Sequence, residues 1–594
     1  MRARAARTPR ARGSASGSRL RGWFVGEEPD FRARGIWLLL AFVAMALLIT
    51  VRLFDVQVRQ GGQLRSMATS SHELQVSLPA HRGQILDRSG RLLASDVTVF
   101  DVFADPGLIP PSKRHDVALQ VAPVIGLGPG KVEELLGKPG RFVYLAKQVD
   151  DKTKAKLQAL GITGIGTLDN EQRVYNGSPV AGNSFASSLL GFVDHDGNGQ
   201  YGLEQYYNAL LRGQDGSEST LRDVQGNAIV LSQQDRKDPR NGRNLQLGLD
   251  SQIQYWAEQA LARGVVDSQS ESGSLLIMDT HTGAIRAWAN YPTYDANKYA
   301  TAPYAMLKDQ AVSGLYEPGS VMKVVTFAGG LNNKAITPET MIDEGPVSID
   351  GYTIGDWDGH AHGHVSMQWV LDDSLNDGAI KVMQMEGRQK FYANLAAFGI
   401  GAPTGVDVSG ENNQPLAAES QWKNVDMATT AFGQHVQVTP LQMLAAINAV
   451  GNGGVWVQPH VVDKTVDPAS GQATPFSPTT RRVMSPESAA TLSKMMTGVV
   501  EDRGASGFAA RIPAFKGQIA GKTGTASVPV NGAYRGDVIV SFTGFMPVSN
   551  PQFTMLVVLR LPTETKVARE GAYLAAPIWH DMAQVIVDQW KIVP

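Results

Sequence analysis

A serine and a lysine three residues apart are the pair in this chain best suited to covalent chemistry. Ser320 follows Pro318-Gly319, and an apolar run continues past Lys323 as VVTFAGGL, which predicts a helix that starts at the serine. Residues three apart lie on one face of a helix, and the free N–H groups of its first turn favour negative charge. Apolar surroundings lower the pKa of a lysine, so its neutral amine can act as a base. The pair predicts Ser320 as nucleophile and Lys323 as its base.

A second segment adds groups that the same chemistry needs. Alone, the S-x-x-K spacing also fits an ordinary helix start with a capping serine and a solvated lysine. Ser374-Leu375-Asn376 lies 54 positions after Ser320 (374 − 320), behind a helix-like stretch. Ser374 can relay a proton between a lysine and a departing amine, and Asn376 can hydrogen-bond a substrate amide. Both are therefore predicted site residues.

A third segment, Lys522-Thr523-Gly524-Thr525, lies 148 positions after Ser374 (522 − 374). Lys522 supplies positive charge, and Thr523 and Thr525 can hydrogen-bond a substrate carboxylate from a strand edge. Gly524 is expected to let the substrate approach that strand closely. S-x-x-K, S-D-N and K-T-G form the motif set of penicillin-binding proteins and class A β-lactamases. The order here is the same, with S-x-N in the middle.

With these motifs, the chain resembles the class B penicillin-binding proteins, which are monofunctional peptidoglycan D,D-transpeptidases. Further resembling segments are Arg82–Arg88 with Gly90 and Leu93-Ala94, Gly202–Glu204, 398–411, 431–442, 520–526 and 542–547. Glu317 resembles the FtsI-like division branch, because the elongation branch more often has a second proline there. The departures are Val321-Met322, where relatives often carry Thr-Phe, and Leu375 inside the S-x-N motif.

The resemblance implies an α+β fold: a transpeptidase domain with an antiparallel sheet flanked by helices, a β-rich elongated N-terminal pedestal, and one transmembrane helix. It implies that Ser320 attacks the penultimate D-alanine carbonyl of a stem peptide, releases the terminal D-alanine, and passes the acyl group to a neighbouring amine. The implied oxyanion hole is the backbone N–H groups of Ser320 and Thr525. No metal or cofactor is expected. Expected partners are D-Ala-D-Ala stem peptides, a SEDS-family glycosyltransferase, other divisome membrane proteins, and β-lactams as covalent inhibitors.

Hydrophobic patterning predicts the elements that must position these residues. Apolar β runs follow residue 246 and recur near the far end of the chain, enclosing long helical and loop stretches. This arrangement indicates one sheet assembled from distant parts of the sequence. The predicted divisions are a basic cytoplasmic tail (1–34), a transmembrane signal anchor (35–54), a β-rich pedestal or dimerisation-type domain (55–245) and a transpeptidase domain (246–594).

The uncharged run Gly35–Val51 predicts the compartment. Its 17 residues lie at the short edge of what spans a bilayer. Arg32 and Arg34 precede it, so the positive-inside rule places the tail in the cytoplasm and the catalytic domain outside. A cleaved signal peptide and a buried core helix are the alternatives. Apolar residues continue beyond the small-residue pattern Ala44-Met45-Ala46, which favours an uncleaved anchor.

Charge and cysteine content exclude several classes of protein. Residues 1–34 carry nine Arg and three acids, a charge of +6, so the remainder carries 45 basic and 53 acidic residues (54 − 9 and 56 − 3), or −8. A mildly acidic body argues against nucleic acid as the main partner. The chain has no cysteine, which excludes disulfides, thiolate metal sites and a cysteine nucleophile.

Two other patterns in the sequence resemble metal sites. His360, His362 and His364 alternate behind Asp356 and Asp358, so a strand would present three imidazoles on one face. A polar, glycine-rich loop at the active-site rim is the simpler interpretation. The spacing of Asp194, Asp196, Asn198 and Gly199 resembles the start of an EF-hand loop. The twelfth position of such a loop would be Gln205 and not the glutamate that binds calcium. An ordinary turn explains that pattern.

These observations predict a membrane-anchored D,D-transpeptidase of septal peptidoglycan. A D,D-carboxypeptidase or β-lactam-hydrolysing relative, in which water replaces the acceptor amine, is one alternative, and an elongation-branch transpeptidase is another. The long pedestal and anchor argue against a simple hydrolase. A silent divisome scaffold would not need the intact motif set, and a β-lactam sensor would be expected to carry additional membrane helices.

Overall fold

The computed structural model describes residues 31–60, 73–221, 235–502, 504–530, 533–564 and 566–594. Most of the predicted tail, residues 1–30, lies outside them. The chain forms two compact units. One comprises Met1–Val76 with Glu218–Arg236, and the other comprises Ser77–Ser217 with Lys237–Pro594.

The first unit contains the apolar helix α1 (Phe31–Phe54), which continues as a π-helical turn over Asp55–Arg59. The stretch Gly35–Arg59 is 25 residues long and unburied, so by length and composition it can cross a membrane. The helix therefore extends beyond the predicted 35–54 at both ends. A three-stranded sheet, ordered β1 (Glu73–Leu78), β8 (Gly216–Leu221), β9 (Asp235–Lys237), lies largely in the same unit.

In the second unit, the pedestal is built on one long strand, β3 (Leu92–Ala104). It pairs antiparallel with β5 (Ile165–Tyr175) from Ala94 opposite Tyr175 to Ala104 opposite Ile165. The same sheet includes β2 (Ile85–Leu86), β4 (Val143–Val149), β10 (Asn244–Leu247), β18 (Val462–Val466) and β19 (Ala473–Pro475). Residues from beyond position 460 thus complete the pedestal sheet. A separate apolar core forms where β3 and β4 pack against α2 (Arg114–Ile125), α3 (Pro129–Leu136) and α4 (Asp151–Ala159).

The region predicted as the transpeptidase domain contains a five-stranded antiparallel sheet. Its order is β12 (Ile285–Tyr291), β11 (Ser272–Asp279), β23 (Phe553–Arg560), β22 (Ala533–Met546), β21 (Ala520–Val530). Two strands from its start and three from its end meet, which confirms the predicted sheet built from distant parts of the sequence. Strand β21 forms one edge, so the Lys522 motif lies on a strand with one free side.

Successive side chains of a strand point to opposite faces of the sheet. Helices cover both faces of this sheet, and each face has its own apolar core. Leu275 and Ile277 pack in a core with α8 (Ser251–Asp267) and α19 (Ala576–Trp590). Leu276 and Met278 pack in the larger core on the other face. The principal helices of that face are α11 (Met322–Asn332), α13 (Asn376–Glu386), α16 (Pro440–Gly451) and α17 (Pro486–Glu501).

Shorter elements complete the second unit. The helices are α5 (Ser187–Leu190), α6 (Gly202–Tyr206), α7 (Asn208–Arg212), α9 (Tyr304–Leu307), α10 (Gln310–Ser313), α12 (Met367–Asp372), α14 (Arg388–Ala397), α15 (Asn424–Thr430) and α18 (Gly571–Leu574). The strands are β6 (Phe192–Val193), β7 (Gly199–Gln200), β13 (Met341–Glu344), β14 (Val347–Ile349), β15 (Tyr352–Ile354), β16 (Gly363–Ser366), β17 (Val455–Val457) and β20 (Thr480–Arg482).

Candidate active site

Ser320 lies in a short 3-10 turn, Gly319–Val321, that leads directly into α11. Gly319 has a φ of +56°, a conformation that favours glycine. The added Cβ of an alanine there would lie 2.9 Å from the Thr525 carbonyl oxygen, so the turn packs tightly against the backbone of β21. Ser320 itself is half-buried and faces a cleft. The turn therefore presents the serine beside the edge strand.

Lys323 is fully buried in the first turn of α11. Its Nζ donates to the Ser374 carbonyl oxygen (2.5 Å), to Asn376 Oδ1 (2.9 Å) and more weakly to Ser374 Oγ (3.4 Å). Among the described residues, Ser320 is not one of its hydrogen-bond partners. Catalytic hydrogen bonds are often long before substrate binds. The contacts join the S-x-x-K and S-x-N segments under one face of the cleft.

Lys522, on strand β21, also donates a hydrogen bond to Ser374. Its Nζ is fully buried and donates to Ser374 Oγ (2.7 Å) and to the Thr523 carbonyl oxygen (3.2 Å). Ser374 has a φ of +61°, which is uncommon for a residue with a side chain and costs about 1–3 kcal/mol. Its strained backbone places one hydroxyl between two lysine amines.

Burial changes the proton affinity of both lysines. Desolvation, followed by the positive charge of Lys522, holds the pKa of Lys323 well below its usual range. Desolvation lowers the pKa of Lys522 to about 7, although the charges of Asp372 and Asp373 act in the opposite direction. Near neutral pH the site can therefore hold a neutral amine and an ammonium side by side. One can accept a proton while the other donates.

A cleft of about 940 Å³ lies over these groups. Of the predicted site residues, Ser320, Ser374, Asn376, Thr523 and Thr525 line it. Lys323, Lys522 and Gly524 lie beneath its surface. The structure thus brings all eight predicted residues to one place.

The structure supplies a different reason for the glycine in the Lys522 motif. An alanine Cβ at Gly524 would lie 2.3 Å from Ser541 Oγ and 2.9 Å from Val321 Cγ2. The residue is therefore glycine because neighbouring β22 and the nucleophile's turn pack against β21. That Gly524 also lets the substrate approach the strand closely stays a prediction.

Aromatic and charged walls of the cleft were not identified from the sequence. They are Trp357, Phe432, Gln434, Phe508, Arg511, Arg569, Glu570 and Tyr573. Phe508 and Tyr573 pack edge to face with ring centroids 5.8 Å apart. Trp357 Nε1 donates to the Asp373 carbonyl oxygen (3.2 Å). These residues come from several distant segments of the chain, so no single local spacing marks them as members of one site.

The loop that contains Gly433 and His435 holds the turn that carries Ser320. The sequence indicated this loop only through its resemblance to a family segment. Gly319 N–H donates to the Gly433 carbonyl oxygen (3.0 Å), and His435 N–H donates to Glu317 Oε1 (2.9 Å). An alanine Cβ at Gly433, whose φ is +84°, would lie 2.1 Å from the Gly319 carbonyl oxygen. The segment AFGQHVQVTPLQ (431–442) resembles a family segment, but nothing in it indicated that this loop holds the turn of Ser320.

The alternating histidines and the EF-hand-like segment both differ from the metal sites that their spacing resembles. The three histidines do not converge: His364 Nδ1 lies 3.0 Å from Asp343 Oδ1, whereas the His362 ring packs edge to face on Trp369. Asp194 Oδ1 accepts the N–H groups of Asp196 (3.0 Å) and Asn198 (2.9 Å), which makes the EF-hand-like segment a carboxylate-stabilised turn.

Comparison with known proteins agrees with this geometry. Residues 273–584 match the penicillin-binding protein transpeptidase domain, and residues 77–247 match the penicillin-binding protein dimerisation domain. Stage V sporulation protein D of Bacillus subtilis is 29% identical over 556 residues, covering 92% of this chain and 84% of that protein. Probable peptidoglycan D,D-transpeptidase PenA of Neisseria meningitidis is 30% identical over 490 residues, covering 82% and 81%. The crystal structure of penicillin-binding protein 3 from Mycobacterium tuberculosis with aztreonam is 25% identical, with a TM-score of 0.68 and coverage of 87% and 98%.

Proposed function

Because this chain belongs to the class B penicillin-binding proteins and is a peptidoglycan D,D-transpeptidase, we propose that it works through an acyl-enzyme on Ser320 in septal wall synthesis. The observation that carries the proposal is the buried relay formed by Lys323, Ser374 and Lys522 beneath Ser320. It supplies a base, a proton carrier and a proton donor at one cleft. We propose catalytic roles for these three residues and for Asn376, and substrate binding by Thr523, Gly524 and Thr525.

In the first step the neutral amine of Lys323 takes the proton of the Ser320 hydroxyl as its oxygen attacks the penultimate D-alanine carbonyl. An ester bond forms to Ser320. The bond to the terminal D-alanine then breaks, and Ser374 passes a proton from the lysine pair to the departing amine. Preorganised N–H groups at Ser320 and Thr525 are proposed to stabilise the oxyanion, each worth about 3–4 kcal/mol.

In the second step an amine of a neighbouring stem peptide attacks the ester. The relay runs in reverse: the incoming amine loses a proton to Lys323 or Ser374, and Ser320 regains its own. The new amide bond replaces the one broken in the first step, so the exchange needs no oxidant or energy source. The donor's terminal D-alanine carries a carboxylate, and we propose that Thr523 and Thr525 bind it in the first step.

The acyl-enzyme is tested by labelling membranes with fluorescent penicillin. The wild-type chain should carry one covalent label, and Ser320→Ala should carry none. Ser527→Ala, a serine on β21 that also lines the cleft, is the matched control and should label normally. A labelled Ser320→Ala protein would show that another residue is the nucleophile.

A reconstituted assay separates a transpeptidase from a hydrolase. With a glycan polymerase and lipid-linked precursor, the proposed enzyme should produce cross-linked dimers together with free D-alanine. Free D-alanine without dimers would favour the carboxypeptidase alternative. For the septal role, depletion in the host should give long cells without septa, whereas rounded cells would favour the elongation branch.

The chain is a single-pass membrane protein with an N-terminal apolar helix. We propose that residues 1–34 are cytoplasmic, that the anchor is 35–54, and that the pedestal (55–245) and transpeptidase domain (246–594) lie outside, beside a SEDS-family glycosyltransferase and other divisome proteins. The chain has no native cysteine, so cysteines introduced singly can be labelled without background. A membrane-impermeant maleimide should modify Gln252→Cys but not Leu20→Cys in intact cells. The reverse pattern would invert the orientation.

A further inference from the structure

A group of acidic and imidazole side chains lies next to the active site without a place in the mechanism. Glu344, Asp356 and His362 each direct one ligand atom to a common point, with all three atoms within 4.8 Å of one another. We call them the carboxylate–histidine cluster. Glu344 ends β13, and the other two lie in the loop between β15 and β16. A fourth acid, Asp377, near the start of α13, is fully buried.

Several polar atoms of this group lack partners. Glu344 Oε1, Asp356 Oδ2 and both carboxylate oxygens of Asp377 are buried and make no hydrogen bond within the described ranges of the chain. Glu344 is only 4% exposed. A buried polar atom left unpaired typically costs about 1–3 kcal/mol, and more if it is charged. Four such oxygens in one place indicate that the group binds a ligand from outside the chain.

A cation is the partner that this arrangement favours. Glu344 and Asp356 hold carboxylate oxygens within 4.8 Å of each other and of a His362 nitrogen, and carboxylate oxygen and imidazole nitrogen are metal ligands. The nearest lysines are used elsewhere. Lys381 Nζ donates to the Asp343 carbonyl oxygen, and Lys323 belongs to the relay. Three adjacent carboxylates therefore lack a cation of their own among the described residues.

We propose that Glu344, Asp356 and His362 bind one Zn²⁺ ion. Carboxylate oxygen and imidazole nitrogen are normal zinc ligands, whereas Ca²⁺ takes six to eight oxygens. The Glu344 carboxylate is already oriented, because its Oε2 accepts the His362 N–H (2.7 Å) and leaves Oε1 free. Asp358 Oδ2 lies 3.3 Å from His362 Nε2 and lies outside the group of three. The three protein ligands leave the fourth position of a tetrahedral zinc to a water molecule.

The ion would position the active site rather than take part in the reaction. Asp356 offers Oδ2 to the metal, while its Oδ1 accepts the N–H groups of Asn376 and, at 3.3 Å, Asp377. Asn376 in turn accepts a hydrogen bond from Lys323. Between Asp356 and Asp358 lies Trp357, which lines the cleft. One ion would thus fix the aromatic rim and the start of α13 relative to each other.

Zinc content of the full-length, detergent-purified chain tests the proposal. After incubation with Zn²⁺ and removal of the excess, elemental analysis should find about one zinc per wild-type chain. His362→Gln should lose it, with affinity reduced by more than about 100-fold, because even an outer partner is worth about 10–100-fold. His364→Gln is the matched control, since that exposed histidine lies outside the cluster. A wild-type chain without zinc, or equal zinc in both variants, would overturn the proposal.

Asp356→Asn, which keeps an oxygen able to accept the Asn376 N–H, provides a second test if His362→Gln misfolds. Titrating the metal-free wild type with Co²⁺ should produce the intense visible absorption of a four-coordinate site, and Asp356→Asn should not. Excess Zn²⁺ should raise the unfolding temperature of the wild type and leave that of Asp356→Asn unchanged. These readouts do not depend on Ser320, so their failure is distinguishable from failure of the proposed acyl-enzyme. Equal Co²⁺ spectra in the two proteins would rule the site out.

Discussion

Two buried lysines share one serine hydroxyl in this protein, and the charge of Lys522 lowers the proton affinity of Lys323. Lys323 and Lys522 both donate to Ser374 Oγ, at 3.4 and 2.7 Å. If both were protonated, two positive charges would lie in a site with little solvent. After desolvation, the charge of Lys522 is the next largest cause of the lowered pKa of Lys323. The division of labour between base and acid therefore depends on the pair rather than on either residue.

This coupling predicts how acylation depends on pH. Only the neutral amine of Lys323 accepts the proton of Ser320, so the acylation rate should fall as the pH drops through the lowered pKa of Lys323. In Lys522→Gln the neighbouring positive charge is gone, so the pKa of Lys323 should rise and the acid limb should move to higher pH. The plateau rate should also fall, by about 10²–10⁴-fold. The measurement is the second-order rate of penicillin acylation against pH.

Lys390→Gln is the control for this experiment, because it removes an exposed lysine that makes no contact with the relay. Its acid limb should coincide with that of the wild type. A limb in Lys522→Gln that stays in place, or moves to lower pH, would contradict the electrostatic coupling.

At the residue scale, spacing predicted which residues belong to the motifs but not what each of them packs against. Ser320 and Lys323 are one helical turn apart, so their proximity follows from local geometry. Ser374 and Lys522 are 148 positions apart (522 − 374), and only the likeness to known motifs joined them. The packing around Gly524 could not be predicted, because its neighbours, Ser541 and Val321, come from other elements.

At the scale of elements, two loops hold the nucleophile against the edge strand. The segment from Tyr316 to Gly319 pairs with the segment from Gly433 to Val438, with Tyr316 N–H donating to the Val438 carbonyl oxygen (3.0 Å) and the reverse bond at 2.9 Å. Neither segment is a regular strand. Their backbone pairing, and not the helix alone, sets where Ser320 points.

An alanine at position 433 should therefore disable the site without unfolding the chain. Its Cβ would collide with the Gly319 backbone and shift the turn that carries Ser320. A displacement of about 1 Å can cost about 100-fold in rate, so we expect penicillin acylation of Gly433→Ala to fall by that order. Rate and thermal unfolding are measured on the same preparations.

Gly453→Ala separates backbone strain from the collision. Gly453 also has a positive φ, +60°, but an added Cβ there meets nothing within 4 Å. It should lose some stability and keep its acylation rate. If both variants acylate at the wild-type rate, the loop does not position the serine.

Strand pairing could be predicted from the sequence for one sheet but not for the other. The apolar runs around residues 272–291 and 537–560 predicted the transpeptidase sheet, because continuous apolar strands must be covered on both faces. The pedestal sheet was only predicted as β-rich. Its β2 has two residues and pairs with β10, which continues to β18. Strands this short carry too little pattern to indicate their partners.

At the scale of the whole molecule, the pedestal and the transpeptidase part of the second unit are joined by buried polar contacts as well as by a shared sheet. Glu258 of α8 accepts the Ala186 N–H (2.7 Å), the Gln254 amide (2.8 Å) and the Ser178 hydroxyl (2.5 Å). Burial raises the pKa of Glu258, and these hydrogen bonds offset part of that rise. One carboxylate thus connects the helix under the sheet to the pedestal backbone.

Removing that carboxylate should weaken the joint and leave the chemistry intact. In Glu258→Ala the Ala186 N–H and the Ser178 hydroxyl lose their acceptor, which should lower the free energy of unfolding by about 1–3 kcal/mol. The initial acylation rate at low temperature should stay unchanged, because Glu258 lies outside the cleft. Denaturant titration and penicillin labelling of one sample check both statements.

Gln252→Ala, an exposed position on the same helix, should change stability by less than about 0.5 kcal/mol. Equal stability of Glu258→Ala and Gln252→Ala would show that the contact contributes little. A large loss of acylation in Glu258→Ala, with the fold intact, would instead indicate that the pedestal positions the site.

The position of β23 in the transpeptidase sheet has a consequence for biosynthesis. This strand, Phe553–Arg560, lies between β11, synthesised some 280 residues earlier (553 − 272), and β22. Until β23 has been made, β11 has an unpaired edge and the two halves of the sheet have no common neighbour. Such long-range pairing makes folding slow and exposes strand edges to aggregation. We therefore expect this sheet to form only after nearly all of the polypeptide has been made, with the free edge of β11 exposed until then.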